Sequence, residues 1–386
     1  MSAQENVQEE DIAVKGKTKR ILAFDLIRGF FLIVIMIDHV ELYPGGWDFF
    51  TGQGRMWVSA AEGFFFLSGL LIGMVYKRRL GLGMKFIFRK MWRRALELYV
   101  AGVALTFVFL SWVEFTHHAP IKDVLPSPFP WHHYIIQALL MRFSYGWADF
   151  LIRFAILMLI APFAFYLVAR GKWWLMLVAS ITAWLFRGQG FTLSWQLLFN
   201  GGILIGFYWP FIEKKFRSLG NKRRKLVKRS FAVAAGVSFG LSYASVFLLT
   251  LLNNHYGSIT PWLRHLTFTW NDYNADVWVY AQKWTMGPLR VILFFIWFPV
   301  LYWIIRKYEN RVAEFSRGIL ELLGRNSLFV YSVHAFIVFT LKMYVIPPVT
   351  GFWKNFLITG AGLSLLILIT AAYRRLYDRY ILSPAK

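Results

Sequence analysis

The chain contains no cysteine. That excludes a disulfide framework, a thiolate nucleophile and a cysteine-ligated metal. Charge is also scarce. Asp, Glu, Lys and Arg make up 16 % of the 386 residues, whereas soluble domains carry about 25 %. Residues 1–20 hold no apolar core and no small-residue cleavage site, so they are not read as a cleaved signal peptide. No internal repeat and no linker to a soluble domain is visible. Acidic residues are the rarer sign, 20 against 43 basic, for a formal net charge of +23.

What the chain has in excess is apolar surface, with 58 % hydrophobic residues. Runs of about 18–22 apolar residues recur, each long enough to cross the hydrocarbon of a bilayer. The pattern predicts an all-α, polytopic integral membrane helical bundle. About ten transmembrane helices are expected, near 22–40, 56–76, 95–112, 150–169, 173–187, 193–212, 231–252, 287–305, 327–345 and 353–373. With the N-terminus inside, 32 of the 43 Lys and Arg fall on cytoplasmic segments. This positive-inside bias predicts both termini cytoplasmic, with 1–20 and 374–386 as tails around a membrane domain at 21–373. The expected location is the inner (plasma) membrane, multi-pass. The same asymmetry accounts for the basic segments through topology and anionic headgroups. The lipid bilayer is therefore the expected partner and nucleic acid is not. No feature of the sequence specifies an oligomeric state.

Ionisable residues inside such runs are costly and usually functional. The first run reads FDLIRGFFLIVIMIDHV, with Arg28 in its inner half and His39 near its outer end. Eleven steps of helix separate them by about 16 Å, so they can act on two ends of one long ligand. His39 is either a water-satisfied interfacial histidine or a general base. Asp38 faces another side of the helix, and adjacency does not make a dyad. Arg28 either pairs with Asp25 one turn earlier or lines a ligand path. Glu62 lies at a depth similar to His39 in the second run; it either orients His39 or is a buried acid held for structure. Gly63, Ser68, Gly69 and Gly73 on that run suit close helix packing. His334 sits mid-run in GRNSLFVYSVHAFIVF. It either shares a tunnel with Arg28 or is satisfied by a neighbouring helix. Glu97, beside Arg93 and Arg94, reads as a local ion pair.

The outer segments are richer in rings. Residues 253–286 hold Trp262, Trp270, Asp272, Tyr273, Asp276, Trp278 and Trp284. They can cap a cavity and stack a sugar, or populate the interface as Trp and Tyr commonly do. His117, His118, His132 and His133 occur in adjacent pairs with no third ligand placed nearby, and no metal is expected.

Three elements in order now carry a resemblance. Arg28, ten residues and His39 come first; FFFLSG follows in the second run; GRNSLFVYSVH comes in the ninth. Together they resemble the signature of the acyltransferase-3 superfamily of integral membrane acyltransferases. The wording DLIRG…IDH with SAAEGFFFLSG is most similar to the OpgC-like branch, whose members are associated with adding succinyl groups to periplasmic glucans. The resemblance covers residues 20–100 and 318–340. It implies acyl-CoA as a cytoplasmic donor, no metal, and a carbohydrate acceptor on the far side. His39, Arg28 and Glu62 become the expected catalytic group. Arg28, Lys85, Arg89, Arg93, Arg94 and His334 become expected donor contacts, and Trp262, Trp270, Asp272 and Trp278 acceptor contacts. The leading expectation is O-acyl transfer, succinyl or acetyl, to an extracytoplasmic glycan. The alternatives are N-acetylation of a terminal amino sugar and a solute transporter or flippase. Against transport stands the absence of repeats and of matching broken helices in two halves.

The topology is checked by alkaline phosphatase fusions. One joined after residue 260 is expected to be active and one after residue 220 inactive; the opposite pattern would invert the orientation.

Overall fold

The apolar runs fold as helices, and no strand occurs among the described residues. The structure, a computed structural model, describes residues 21–116, 130–248, 276–344 and 351–380. In chain order the helices are α1 (Leu22–Val40), α2 (Asp48–Thr51), α3 (Ala60–Arg78), α4 (Met84–Thr116), α5 (Trp131–Leu139), α6 (Asp149–Ala169) and α7 (Trp173–Leu185). They continue as α8 (Phe191–Ser218), α9 (Asn221–Val246), α10 (Pro288–Lys307), α11 (Glu309–Phe315), α12 (Ile319–Arg325), α13 (Ser327–Tyr344) and α14 (Phe352–Tyr380).

Six helices among the described residues are long and apolar enough to cross a membrane: α3, α4, α6 with its preceding turn, α10, α13 and α14. The other expected crossings differ for visible reasons. The first run, α1, carries Asp25, Arg28 and Asp38. The run at 173–187 forms a helix of only 13 residues, about 20 Å long. Helices α8 and α9 are long enough, but α9 opens on NKRRKLVKR. Two expected basic loops are largely helix instead. Lys85 to Arg94 lie on the first turns of α4, and only residues 219–220 separate α8 from α9.

Glycine sets the closest contacts. In a bilayer the hydrophobic effect does not drive helix against helix, so small residues that let backbones meet become decisive. Helices α3 and α8 run parallel and meet through two glycines from each. A Cβ on Gly69 would lie 2.0 Å from the Phe199 carbonyl oxygen, and one on Gly73 2.2 Å from that of Ile203. From the other side, Gly202 meets the Phe66 oxygen at 2.2 Å and Gly206 that of Leu70 at 2.0 Å. Polar side chains add to this seam: Gln196 donates to the Ser180 carbonyl at 2.7 Å, and Asn200 to the Ser180 hydroxyl at 2.9 Å, joining α8 to α7.

Helix α1 is the hub and contacts α3, α10, α12, α13 and α14. Against α12 the backbones touch again, antiparallel: Gly29 meets Leu320 and Gly324 meets Asp25, each at 2.0 Å from a carbonyl oxygen. Gly63 of α3 sits under the Phe31 ring of α1. Around the hub, Phe66 of α3 packs edge-on to Phe294, Phe295 and Phe298 of α10.

Gly206→Val is expected to abolish the α3–α8 contact and sharply lower the yield of monodisperse protein in detergent. Gly236→Val on α9 meets open space and is expected to leave the yield close to wild type. Size-exclusion profiles of both variants check this.

Candidate active site

His39 stands at the end of α1, where the chain leaves the helix through Glu41 in a left-handed conformation, φ 53°. Segment 41–59 then folds across this end of the bundle and is tied to other helices. Trp47 donates its indole N–H to the Phe356 carbonyl at 2.9 Å, and Asn355 donates to the Pro44 carbonyl at 2.8 Å. Tyr243 donates to the Phe49 carbonyl at 2.7 Å, and the Trp57 N–H donates to the Ser242 hydroxyl at 2.9 Å. Within this cap, burial first, and then the Asp38, Glu41 and Asp48 carboxylates nearby, push the Tyr43 phenol well above its ordinary range. It is a neutral hydroxyl at any working pH.

The central contact of the site joins two histidines. His39 Nδ1 lies 3.1 Å from His334 Nε2. The rings sit 5.0 Å apart, tilted by 33°. His334 belongs to α13 and is only 2 % exposed, whereas His39 is half-buried. His39 thus presents its outer edge and His334 backs it. Tyr331, one turn before His334, packs edge-on to it at 4.9 Å and stacks on Phe150 at 4.4 Å. His334 Nδ1 and the Tyr331 hydroxyl are buried without a hydrogen bond of normal geometry. Lys342 bridges Glu41 at 3.0 Å at the rim. Asp38 turns away from this pair towards Gly54 and Thr51, as expected of neighbours on a helix.

The expected partnership of Glu62 with His39 is corrected by the structure. One Glu62 oxygen accepts from the Ser59 N–H at 2.9 Å and from its hydroxyl at 2.5 Å, closing a capping box at the start of α3. The other accepts from Arg290 Nε at 2.7 Å, and both side chains are fully buried. Arg290 spends its remaining donors on the Met56 and Ala281 carbonyls. The physical reason is charge: a guanidinium buried in the bundle claims the nearest carboxylate, and a neutral imidazole cannot compete. Glu62 is thus the buried, arginine-paired acid. His334 lies against His39 of α1, as the reading of a histidine satisfied by a neighbouring helix expects.

Arg28 has its guanidinium 5.8 Å from the Phe64 ring of α3. Asp25 lies 3.7 Å from Arg325 of α12. Arg93 and Arg94 both bridge Glu97, at 3.4 and 2.9 Å, on an exposed face, as the local-pair reading expects. Lys85 and Arg89 line a groove with Trp92, Phe163 and Tyr166 on the α4–α6 surface. None of these four is brought to the histidine pair. Trp278 lies in the described outer segment and is 38 % exposed. Trp262, Trp270 and Asp272 lie outside the described residues, as do His117 and His118. His132 and His133 are exposed on α5.

Arg290 is the site-forming residue that sequence reasoning passed over. Its signal was the one that singled out Arg28: a cation inside an apolar run, here PLRVILFF.

Fold and site together define a helical, membrane-embedded protein with a paired histidine at the end of its central helix. Within that class the chain belongs to the OpgC protein family, which it matches over residues 20–379. Membership and the helical membrane fold fit a membrane acyltransferase of glucan modification. No curated protein sequence matches the chain significantly.

Removing one partner of a buried ion pair strands the other charge and costs about 3–5 kcal/mol. Glu62→Gln and Arg290→Met are each expected to lower the melting temperature strongly. The double variant Glu62→Leu with Arg290→Met is expected to recover much of the loss, which thermal melts followed by size-exclusion chromatography read out.

Proposed function

We propose that the chain is a membrane O-acyltransferase. It moves an acyl group, succinyl or acetyl, from acyl-CoA on the basic face of the bundle to a glycan hydroxyl on the opposite face. The observation that carries this reading is the half-buried His39 backed by a buried His334 at 3.1 Å. A general base needs a fixed ring with one bare nitrogen. Of the two tautomer pairs this bond allows, the one with hydrogen on Nδ1 of both rings supports catalysis. His39 then donates from Nδ1 to His334 Nε2 and leaves its own Nε2 bare. His334 carries its hydrogen on Nδ1, on the side of the Tyr331 backbone.

In the reaction His39 Nε2 takes the proton of the sugar hydroxyl as the oxygen attacks the thioester carbonyl. The C–O bond forms, the tetrahedral intermediate collapses and the C–S bond breaks. The leaving thiolate takes the proton from His39, and charge and atoms balance. While the proton rests on His39, the His334 acceptor stabilises the imidazolium, the part a carboxylate plays in many hydrolases. A second imidazole does this without adding a fixed negative charge to an apolar site. Arg28, about 16 Å back along the same helix, lines the donor's path or steadies its charge.

The test is mass spectrometry of envelope glycans from wild type, a deletion strain, and the deletion complemented with each variant. An acyl mass is expected to vanish on deletion and to stay absent with His39→Ala at normal protein levels. His334→Ala is expected to lower transfer by about 10²–10⁴, the range of general base contributions, without loss of protein. Arg28→Ala is expected to raise the donor KM. Near-normal transfer by His39→Ala would sink the assignment.

A further inference from the structure

Between α8, α9 and α10 lies a cavity of about 630 Å³ that reaches inward to Phe66 and Leu70 of α3. Its wall on α8 extends from Ile205 to Arg217 and on α10 from Phe295 to Arg306. At 1.5 Å per residue these stretches are about 16–18 Å deep. The two ends differ in chemistry. The inner end is lined by Phe66, Phe295 and Phe298, and the mouth by Arg217, Arg224, Lys228 and Arg306.

The mouth cations are not equivalent. Arg217 bridges Glu213, and Arg306 bridges Glu309 at 2.6 Å. Arg224 donates to the uncharged Asn221 at 2.6 Å. Lys228, one turn further on the same helix face, stands 5.6 Å over the Trp303 ring. Among the described residues neither of these two has a carboxylate partner within 4 Å. Two such cations, one turn apart at the mouth of an apolar slot, are suited to phosphate oxygens. The far wall backs onto the hub: Phe24 of α1 stacks on Tyr302 at 5.2 Å and meets Trp209 edge-on at 5.4 Å. Arg28 is one turn along α1 from Phe24.

The geometry points to a binding site for an organic phosphate that carries a long, slender, uncharged arm, with the phosphates on Arg224 and Lys228 and the arm in the slot. Coenzyme A has this build, and its assignment as the occupant rests on the acyl transfer proposed above. The slot then takes the place of the α4 residues Lys85, Arg89, Arg93 and Arg94 as the donor's phosphate site. An anionic lipid headgroup shares the same chemistry, so the test separates the two.

The experiment uses the full chain in nanodiscs of phosphatidylcholine alone, with coenzyme A binding measured by calorimetry. The doubly reversed variant Arg224→Glu with Lys228→Glu is expected to bind coenzyme A at least about tenfold more weakly, as loss of charge-assisted phosphate contacts implies. Lys222→Glu with Lys225→Glu, on the same helix but outside the slot, is expected to bind as wild type does. His39→Ala is expected to bind coenzyme A normally while transferring nothing. Unchanged binding by the doubly reversed variant would overturn the site. So would a variant that keeps its coenzyme A affinity but loses retention of added phosphatidylglycerol, which would make the slot a lipid site. Binding is read without turnover. Rim-dependent coenzyme A binding with no acyl mass lost on deletion would leave the site standing and remove the proposed reaction.

Discussion

A guanidinium and a carboxylate, both without solvent, hold one end of this bundle in register. Glu62 and Arg290 are fully buried and bonded at 2.7 Å, and each spends its remaining capacity on backbone or serine. Desolvating two such charges is expensive, so the pair is tolerated only if every lone pair and proton finds a partner. Here the partners are the Ser59 N–H and hydroxyl and the carbonyls of Met56 and Ala281. The pair therefore does more than join α3 to α10. It fixes the last part of the segment that follows His39 and the strip of chain that leads into α10, two loops that water would otherwise loosen.

The histidine pair depends on that fixed frame and on the close backbones beneath it. Helix α1 is held by Gly29 and Gly324 against α12, and by Gly63 under Phe31 against α3. With α1 clamped on two sides, His39 has a single direction in which to present its Nδ1, and α13 supplies His334 there. Tyr331 and Phe150 fill the space behind. Nothing in this arrangement needs a second ionised group. The polar contact of the site is between two imidazole rings, His39 Nδ1 to His334 Nε2 at 3.1 Å.

Much of this was legible in the residues, and the rest was hidden for a physical reason. The all-α membrane class followed from apolar runs and the scarcity of charge, and the glycines of α3 read correctly as contact points. His39 and Glu62 were rightly singled out as costly polar groups, but their partners were misjudged. Spacing gives a position along one helix and does not say which helix lies beside it. Glu62 was matched with His39 because their counted depths agree, while its real partner is 228 residues away. His334 counts to the middle of its run, on the unbroken helix α13 (Ser327–Tyr344), but that count does not say that His39 of α1 is the group beside it. The basic segments misled in a simpler way: charge marks a face of the membrane but does not stop a helix, and α4 and α9 begin inside the basic runs.

The parallel seam between α3 and α8 carries a consequence for biogenesis. Two helices that run the same way cannot be neighbours in sequence, and about 130 residues separate Gly69 from Phe199. At the ribosome's pace of roughly 5–20 residues per second, α3 reaches the bilayer on the order of ten seconds before α8 exists. Throughout that interval its glycine groove faces lipid or a temporary companion rather than its true partner. The histidine pair closes later still, since its members are 295 residues apart. A chain stalled or truncated before α13 therefore carries only one member of the histidine pair, and the contact between the two rings is among the last to form.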